Sequence, residues 1–395
     1  MNRNGSAVSV FLFMVSFILT ARFQWIAASS RDSSNFQQKK PGEKNFQPII
    51  GIISQAVKGA PLSEIEVSYV KFIEMGGGRA APIRLDASFH DIKHIFDRIN
   101  GLLYPGGDTP LLSHGRFFEI ETYLFNLAIA ANDRGDFFPI WGTCLGFEAL
   151  AQIVTKNDSF IHPLNFDDIN VIHPLIWNRN LDVIRSSRLL NLCGTSGKSY
   201  EDNEESQLNR WNLADNTRLN FRRELVSVDP VEYIKKFESP VEGNFMCNPT
   251  IYEAASVLPL AAYYHEDGVS MKEWHQKSEL NNFFHLLASS ISTKGVEFIA
   301  MVEAKRYPIY GVQFHPEKNL YAFSPLINAT HGLIASQFSQ YFSTFFINEA
   351  RKSHHRFPDY DTEYEYLIYK HTPTNRLRSE HQYDFSQVYQ FPYNE

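Results

Sequence analysis

Phe137-Phe138-Pro139-Ile140-Trp141-Gly142-Thr143-Cys144-Leu145-Gly146-Phe147-Glu148 is an apolar run, a Gly-x-Cys-x-Gly turn and the opening of a helix. Strand, tight turn and helix in that order form the local pattern of a nucleophile elbow, with cysteine where many hydrolases carry serine. The flanking glycines let the backbone bend sharply, and the corner residue is held in strain with its side-chain tip outward. Cys144 is therefore the first candidate for chemistry. The ordinary alternative is an inert buried thiol beside glycines, and a base and an oxyanion hole elsewhere in the chain decide between the two.

Upstream, Pro48-Ile49-Ile50-Gly51-Ile52-Ile53 is apolar and short enough for a fully buried strand. From Glu66 to Met75, Val67, Val70 and Ile73 recur at helical spacing, and Gly76-Gly77-Gly78 stops the helix. A strand is expected over Ala80–Leu85. Ser88 or Asp91 then caps a helix with Ile92, Ile95, Phe96 and Ile99 on one face, ended by Asn100-Gly101. Leu102-Leu103-Tyr104 runs as a strand into Pro105-Gly106-Gly107-Asp108, and a long helix follows from Phe117 to Asn132. This alternation predicts an α/β fold, a parallel sheet covered on both faces. Ligands in such sheets gather at the carboxyl ends of the strands, where the Gly106-Gly107 loop and Cys144 both fall.

From about Trp177 to Met246 the chain turns to Asn, Arg, Glu and Ser with weak periodicity, and reads as an insertion at the edge of the fold. Regular structure returns over Tyr252–Tyr264 and leads into Tyr264-His265-Glu266-Asp267-Gly268-Val269. Strands are expected over Val296–Val302 and Ile309–Phe314. Phe338, Phe342, Phe345 and Phe346 mark the core side of a helix from about Ile334 to Ala350. In the tyrosine-rich tail from Ser353, Phe385–Phe391 reads as a short strand with Phe385, Tyr389 and Phe391 on one face, an alternation that Gln387 interrupts.

A chain of 395 residues, 44% hydrophobic, can bury a large core. Its net charge of -7 argues against a nucleic-acid partner and favours a small-molecule or peptide substrate. Arg3, the apolar run Ala7–Ala21 and the small residues Ala27-Ala28-Ser29-Ser30 have the layout of a secretory signal peptide, expected over residues 1–28. A polar arm over 29–45 follows. No later segment is apolar enough to span a bilayer, so no membrane association is expected once the leader is removed. The sequons Asn157-Asp158-Ser159 and Asn328-Ala329-Thr330 suit a secreted glycoprotein. Three cysteines are an odd number, and one arithmetic leaves Cys144 free and pairs Cys193 with Cys247. Their spacing fits no zinc site, so no metal is expected.

Gly311-Val312-Gln313-Phe314-His315-Pro316-Glu317 supplies the base. Pro316 keeps His315 out of helical geometry, and in an extended segment residues i and i+2 share a side, which sets Glu317 beside His315. A carboxylate there fixes the imidazole tautomer and leaves the other nitrogen to face a nucleophile. For the oxyanion hole, an elbow offers the amide of the residue after the nucleophile, Leu145, and a second donor can come from Gly106 or Gly107.

Trp141–Glu148, with Tyr310-Gly311-Val312-Gln313-Phe314-His315-Pro316-Glu317-Lys318, resembles the gamma-glutamyl hydrolases, a branch of the class I glutamine amidotransferase superfamily that trims folate polyglutamates. Pro48–Ile52, Ser68–Lys71, the Pro105-Gly106-Gly107 turn and Phe346–Lys352 resemble it too. The likeness runs from roughly Phe46 to Lys352, apart from the insertion, with 353–395 as an extension expected to pack on the same domain. It implies a three-layer αβα sandwich with a central mostly parallel sheet, class I glutamine amidotransferase-like and flavodoxin-like. It also implies Cys144 as nucleophile, His315 as general base and acid, Glu317 as its orienter, and an oxyanion hole at Gly107 and Leu145. His265 falls at a histidine-containing strand-end motif and is expected to touch substrate, with Tyr69 and Glu148 as weaker substrate-binding candidates. The insertion and the flexible Gly76-Gly77-Gly78 turn depart from the family pattern.

The implied reaction is thioester-mediated cleavage of γ-linked glutamyl amide bonds in a folate poly-γ-glutamate, with no cofactor. A thiolate stabilised by a protonated histidine would suit an acidic lumen, so the expected location is secreted, or a lysosome or vacuole. A homodimer is left open. The alternatives are a glutamine amidohydrolase, which lacks a synthetase-like region here, and a secreted non-catalytic homologue, which would not need all three triad positions.

Overall fold

The computed structural model describes residues 45–157, 162–190, 249–324, 326–375 and 387–393. The leader, most of the polar arm, Cys193, Cys247 and the greater part of the expected insertion lie outside them. Two units are distinguished, Lys44–Phe357 with Tyr364–Glu395, and a smaller one whose described part is Pro358–Glu363.

The strands in chain order are β1 (Ile49–Ile53), β2 (Gln55–Ala56), β3 (Leu62–Glu66), β4 (Arg79–Ile83), β5 (Gly101–Tyr104), β6 (Ile140–Thr143) and β7 (His162–His173). They continue as β8 (Ile176–Trp177), β9 (Ala261–Gly268), β10 (Phe284–Ile291), β11 (Glu297–Ala304), β12 (Ile309–Val312), β13 (Thr374–Asn375) and β14 (Gln387–Pro392). Eight form the main sheet in the order β4-β1-β5-β6-β12-β11-β10-β8. The five from β4 to β12 run parallel to their neighbours, and β11, β10 and β8 add antiparallel pairs. β1, β5, β6 and β12 are buried at every position, which is why they read as unbroken apolar runs and not as alternation.

Alternate residues of β1 enter different cores. Ile50 and Ile52 join Phe72, Phe342 and Phe346 of the helices Val67–Met75 and Leu333–Ala350. Ile49 and Ile53 join Ile92, Leu124 and Leu150 of the helices Phe89–Phe96, Arg116–Asp133 and Leu145–Thr155. A sheet with a separate core on each face is a three-layer α/β sandwich. Ser88 caps its helix by accepting the Asp91 N–H at 3.1 Å. Ile99 lies beyond that helix, which ends at Phe96, yet is fully buried. No described helix is long and apolar enough to cross a membrane.

Two regions extend the sequence reading. A second sheet, β13-β14-β3-β2, joins Gln387–Pro392 of the tail antiparallel to Leu62–Glu66. Val388, Tyr389 and Phe391 are buried there, while Gln387, which interrupts the alternation, faces outward. The stretch from Trp177 to Leu190, expected to open the insertion, is tied to the main sheet. Trp177 pairs with Ala288, and the buried Glu303 carboxylate accepts from Ser187 Oγ (2.7 Å), Arg188 N (3.0 Å), Arg188 Nε (2.8 Å) and Leu189 N (3.1 Å). Four donors on one carboxylate compensate for its burial, information that sits in Glu303, far along the chain.

Glu303→Ala leaves those donors without their acceptor and is expected to cost about 3 kcal/mol of unfolding free energy. Urea denaturation followed by tryptophan fluorescence measures it. A loss below about 0.5 kcal/mol, typical of a surface change, would mean that residues 177–190 are detachable after all.

Candidate active site

The parallel strands deliver their carboxyl ends to one edge of the sheet. Gln55 follows β1, Gly106 follows β5, Cys144 follows β6 and Gln313 follows β12. Cys144 stands at φ 51° and ψ -113°, a strained backbone for a residue with a side chain. Gly146 is required one step on, because a Cβ there would stand 2.1 Å from the Tyr104 carbonyl oxygen. The Cys144 N–H donates to Val312 O at 2.8 Å, fastening the elbow to the strand that leads to the histidine.

His315 is held from several sides. Its N–H donates to Ala262 O at 2.8 Å, and its Nδ1 meets Glu317 Oε1 at 2.7 Å. The expected pairing is present, but by different geometry. β12 ends at Val312, and His315-Pro316-Glu317-Lys318 is a turn in which Lys318 N donates to His315 O at 3.2 Å, with Glu317 in helical backbone conformation. The turn places the carboxylate where extended alternation was expected to. His315 Nε2 is buried with no hydrogen-bond partner among the described residues.

Gly106 is where Cys144 and His315 converge. A Cβ on it would lie 2.7 Å from His315 Cε1, 3.0 Å from Cys144 Cβ and 2.6 Å from Tyr69 Oη. Tyr69 Oη accepts the Gly106 N–H at 2.8 Å and lies 3.5 Å from His315 Nδ1. Tyr69 is therefore buried within the site's framework, not laid along its surface. Gly107 faces the Gln55 side chain instead, and Gln55 Nε2 donates to Gly106 O at 3.1 Å.

Charge around the pair is arranged in a row. Lys318 Nζ lies 2.5 Å from Glu66 Oε1 and 3.8 Å from Glu317 Oε1. Burial alone would raise the Glu317 pKa, but the charge and hydrogen bond of His315 and the Lys318 cation outweigh it, and the carboxyl sits below its usual range. The Cys144 thiol goes the other way: burial and the Glu148 charge push it well above the ordinary value, against a hydrogen bond from the Leu145 amide. Burial and the negative neighbours favour the neutral form of Cys144.

Glu148 is buried against the nucleophile, and its pKa is pushed up to about 7 by burial. Gln313 Nε2 donates to Glu148 Oε1 at 2.7 Å and lies 3.8 Å from Cys144 Sγ. His265 does not stand at a strand end. It lies within β9, packed against Tyr263 and Phe298 at 5.4 and 5.1 Å, with Nδ1 2.5 Å from Asp267 O. Burial lowers its pKa to about 4. The neighbour Tyr264, on the opposite face, meets the His315 ring edge-on at 5.3 Å.

Cys144, His315, Glu317, Leu145, Tyr69 and Glu148 are thus brought together, while Gly107 is one step removed and His265 is packed inside. Gln313, Lys318, Gly106 and Tyr264 have parts that sequence reasoning did not assign. Gln313 and Lys318 lie inside the quoted His-Pro-Glu segment, and a polar amide closing an apolar strand was the available signal. Among the described residues, no group of three or more His, Cys, Asp or Glu could hold a metal ion.

A cysteine and an imidazole meeting at the carboxyl edge of a mostly parallel sheet form the working end of a cysteine hydrolase. The sequence matches the family model Peptidase C26 over residues 48–155 and that of class-I glutamine amidotransferases over residues 125–330. Gamma-glutamyl hydrolase of Homo sapiens is 30% identical over 337 residues, covering 84% of this chain and 86% of its own. That of Rattus norvegicus is 32% identical, covering 87% and 90%. Gamma-glutamyl hydrolase B of Dictyostelium discoideum is 28% identical, covering 88% and 84%. The chain belongs to the gamma-glutamyl hydrolase family, within the class-I glutamine amidotransferases.

Gly106→Ala tests the convergence. The added methyl must displace His315, Tyr69 or the elbow, and turnover is expected to fall about 100-fold with the far-UV spectrum unchanged. Steady-state kinetics at substrate saturation measures it, and a variant within twofold of wild type would remove Gly106 from the site.

Proposed function

We propose that this protein hydrolyses γ-linked glutamyl amide bonds of folate poly-γ-glutamates through a Cys144 thioester. The observation that carries the reading is the approach of Cys144 and His315 to one point beside Gly106. As Cys144 Sγ attacks the γ-carbonyl carbon, the thiol proton passes to His315 Nε2, the nitrogen that Glu317 leaves facing inward. The oxyanion that forms is assigned to the amides of Leu145 and Gly107, since the Gly106 amide is taken by Tyr69. The C–N bond breaks as His315 Nε2 returns the proton to the leaving amine. Water then attacks the thioester with His315 as base, the C–S bond breaks, and the γ-carboxylate and the thiol are regenerated. A depressed Glu317 pKa keeps the orienting carboxylate charged under acid conditions, so the imidazole stays in place there.

We also assign residues 1–28 as a cleaved leader, with secretion or delivery to an acidic lumen as its consequence, and Asn157 and Asn328 as glycan acceptors.

Incubation of the purified protein with a defined pteroylpentaglutamate is expected to release glutamate or short γ-glutamyl peptides, identified by mass, with free glutamine untouched. Cys144→Ala should lower turnover by at least about 10³-fold. Release of ammonia from glutamine in place of peptide cleavage would transfer the assignment to a glutaminase.

A further inference from the structure

The proposed mechanism makes no use of Glu148, yet that residue is the strongest acidic influence on Cys144. It stands in the first turn of the helix that Cys144 opens, and it is buried. The Gln313 amide nitrogen spans the two groups, 2.7 Å from Glu148 Oε1 and 3.8 Å from Cys144 Sγ. Its own Oε1 is buried with no hydrogen-bond partner among the described residues. Gln313 therefore presents a donor edge to both acidic groups at once and an acceptor to neither. A bridge of that polarity suits one negative charge shared across it, on the carboxyl or on the sulfur. Two charges on either side of one buried amide repel each other by an amount comparable to about one pKa unit.

We infer that Glu148, joined to Cys144 through the Gln313 amide, is a positioning residue that sets the charge state of the nucleophile: neutral, it permits a thiolate, and charged, it opposes one. The groups facing the pair are consistent with this division. Asp267 on β9 acts on the Glu148 carboxyl, whereas Glu317 and Lys318, on the turn after β12, act on the thiol with opposite signs, and the Leu145 amide donates to the sulfur. Glu148 titrates near neutrality, at about 7, because burial raises it. The consequence is directional. Below neutrality the carboxyl is protonated and the thiol faces one anion fewer; above it the nucleophile is held back. This inference deepens the proposed catalytic role of Cys144 and rests on that reading for its meaning, although its test needs no substrate.

The test is the rate of Cys144 alkylation by iodoacetamide from pH 5 to 9.5, read on the Cys144 peptide by mass spectrometry so that Cys193 and Cys247 do not contribute. In the wild type the logarithm of the rate should climb with pH, flatten near pH 7 as Glu148 ionises, and climb again. Glu148→Gln should remove the flattening, match the wild type at pH 5, and react about tenfold faster at pH 8.5, the equivalent of one pKa unit. Gln313→Met removes the donor that stabilises the Glu148 anion, so its flattening should move above pH 7. Superimposable wild-type and Glu148→Gln profiles would overturn the inference. Should Glu148→Gln fail to fold, the wild type decides alone, since a profile of constant slope through pH 7 overturns it equally. The inflection surviving in a protein that does not cleave folate polyglutamates would sink the substrate assignment and leave this inference standing.

Discussion

The hydrogen bond from the Cys144 amide to the Val312 carbonyl, at 2.8 Å, is the constraint on which the site depends. It crosses between two adjacent parallel strands whose register pairs Thr143 with Val312. One residue past that pair, one strand turns sharply into a helix and the other passes through Gln313 and Phe314 to His315. Were the register to slip by a residue, the side chains of β12 would exchange faces, and the imidazole could not meet the sulfur. Complete burial of β6 and β12 forbids the slip, since Ile309 and Tyr310 feed opposite cores. The chemistry is thus positioned by hydrophobic packing on both faces of the sheet, at a place where the backbone of Cys144 is itself strained.

A second constraint is ionic. Glu66, Lys318 and Glu317 form a row of alternating charge from the end of β3 to the carboxylate that meets His315 Nδ1. Buried ions of this kind are costly unless each has a partner, and here every adjacent pair is opposite in sign. The row fixes where the imidazole stands and which of its nitrogens is occupied. Around Glu148 the environment differs: Glu148 and Gln313 form a carboxyl–amide pair, and burial dominates. Cys144 sits between a well-compensated wall and a poorly compensated one, and burial favours its neutral thiol.

Much of this was legible in the sequence. Apolar runs buried on both faces marked the parallel strands, and the Gly-x-Cys-x-Gly and His-Pro-Glu segments marked Cys144, His315 and Glu317, which the structure brings to one place. The thiol's surroundings were not legible, since the groups that act on it, Glu148, Glu317 and Lys318, come from separate elements. His265 and Tyr264 show the same limit: adjacent in sequence, they face opposite ways, and only the pairing of β9 with its neighbours decides which meets His315. The anchoring of Trp177–Leu190 was hidden because its acceptor, Glu303, lies on β11, across a long polar stretch of chain.

The pairing of Gln387–Pro392 with Leu62–Glu66 has a bearing on how the protein is made. β3 leads without a break into the helix that carries Tyr69, so the scaffold behind the base is completed by a strand from the far end of the chain. During synthesis the elbow, β12 and the His315 turn all emerge before that strand does. Until it arrives, β3 presents an unpaired edge, the kind of surface on which nascent chains associate wrongly. Assembly of the site is therefore ordered in time: the reacting groups are produced first, and the strand that backs Tyr69 is added last.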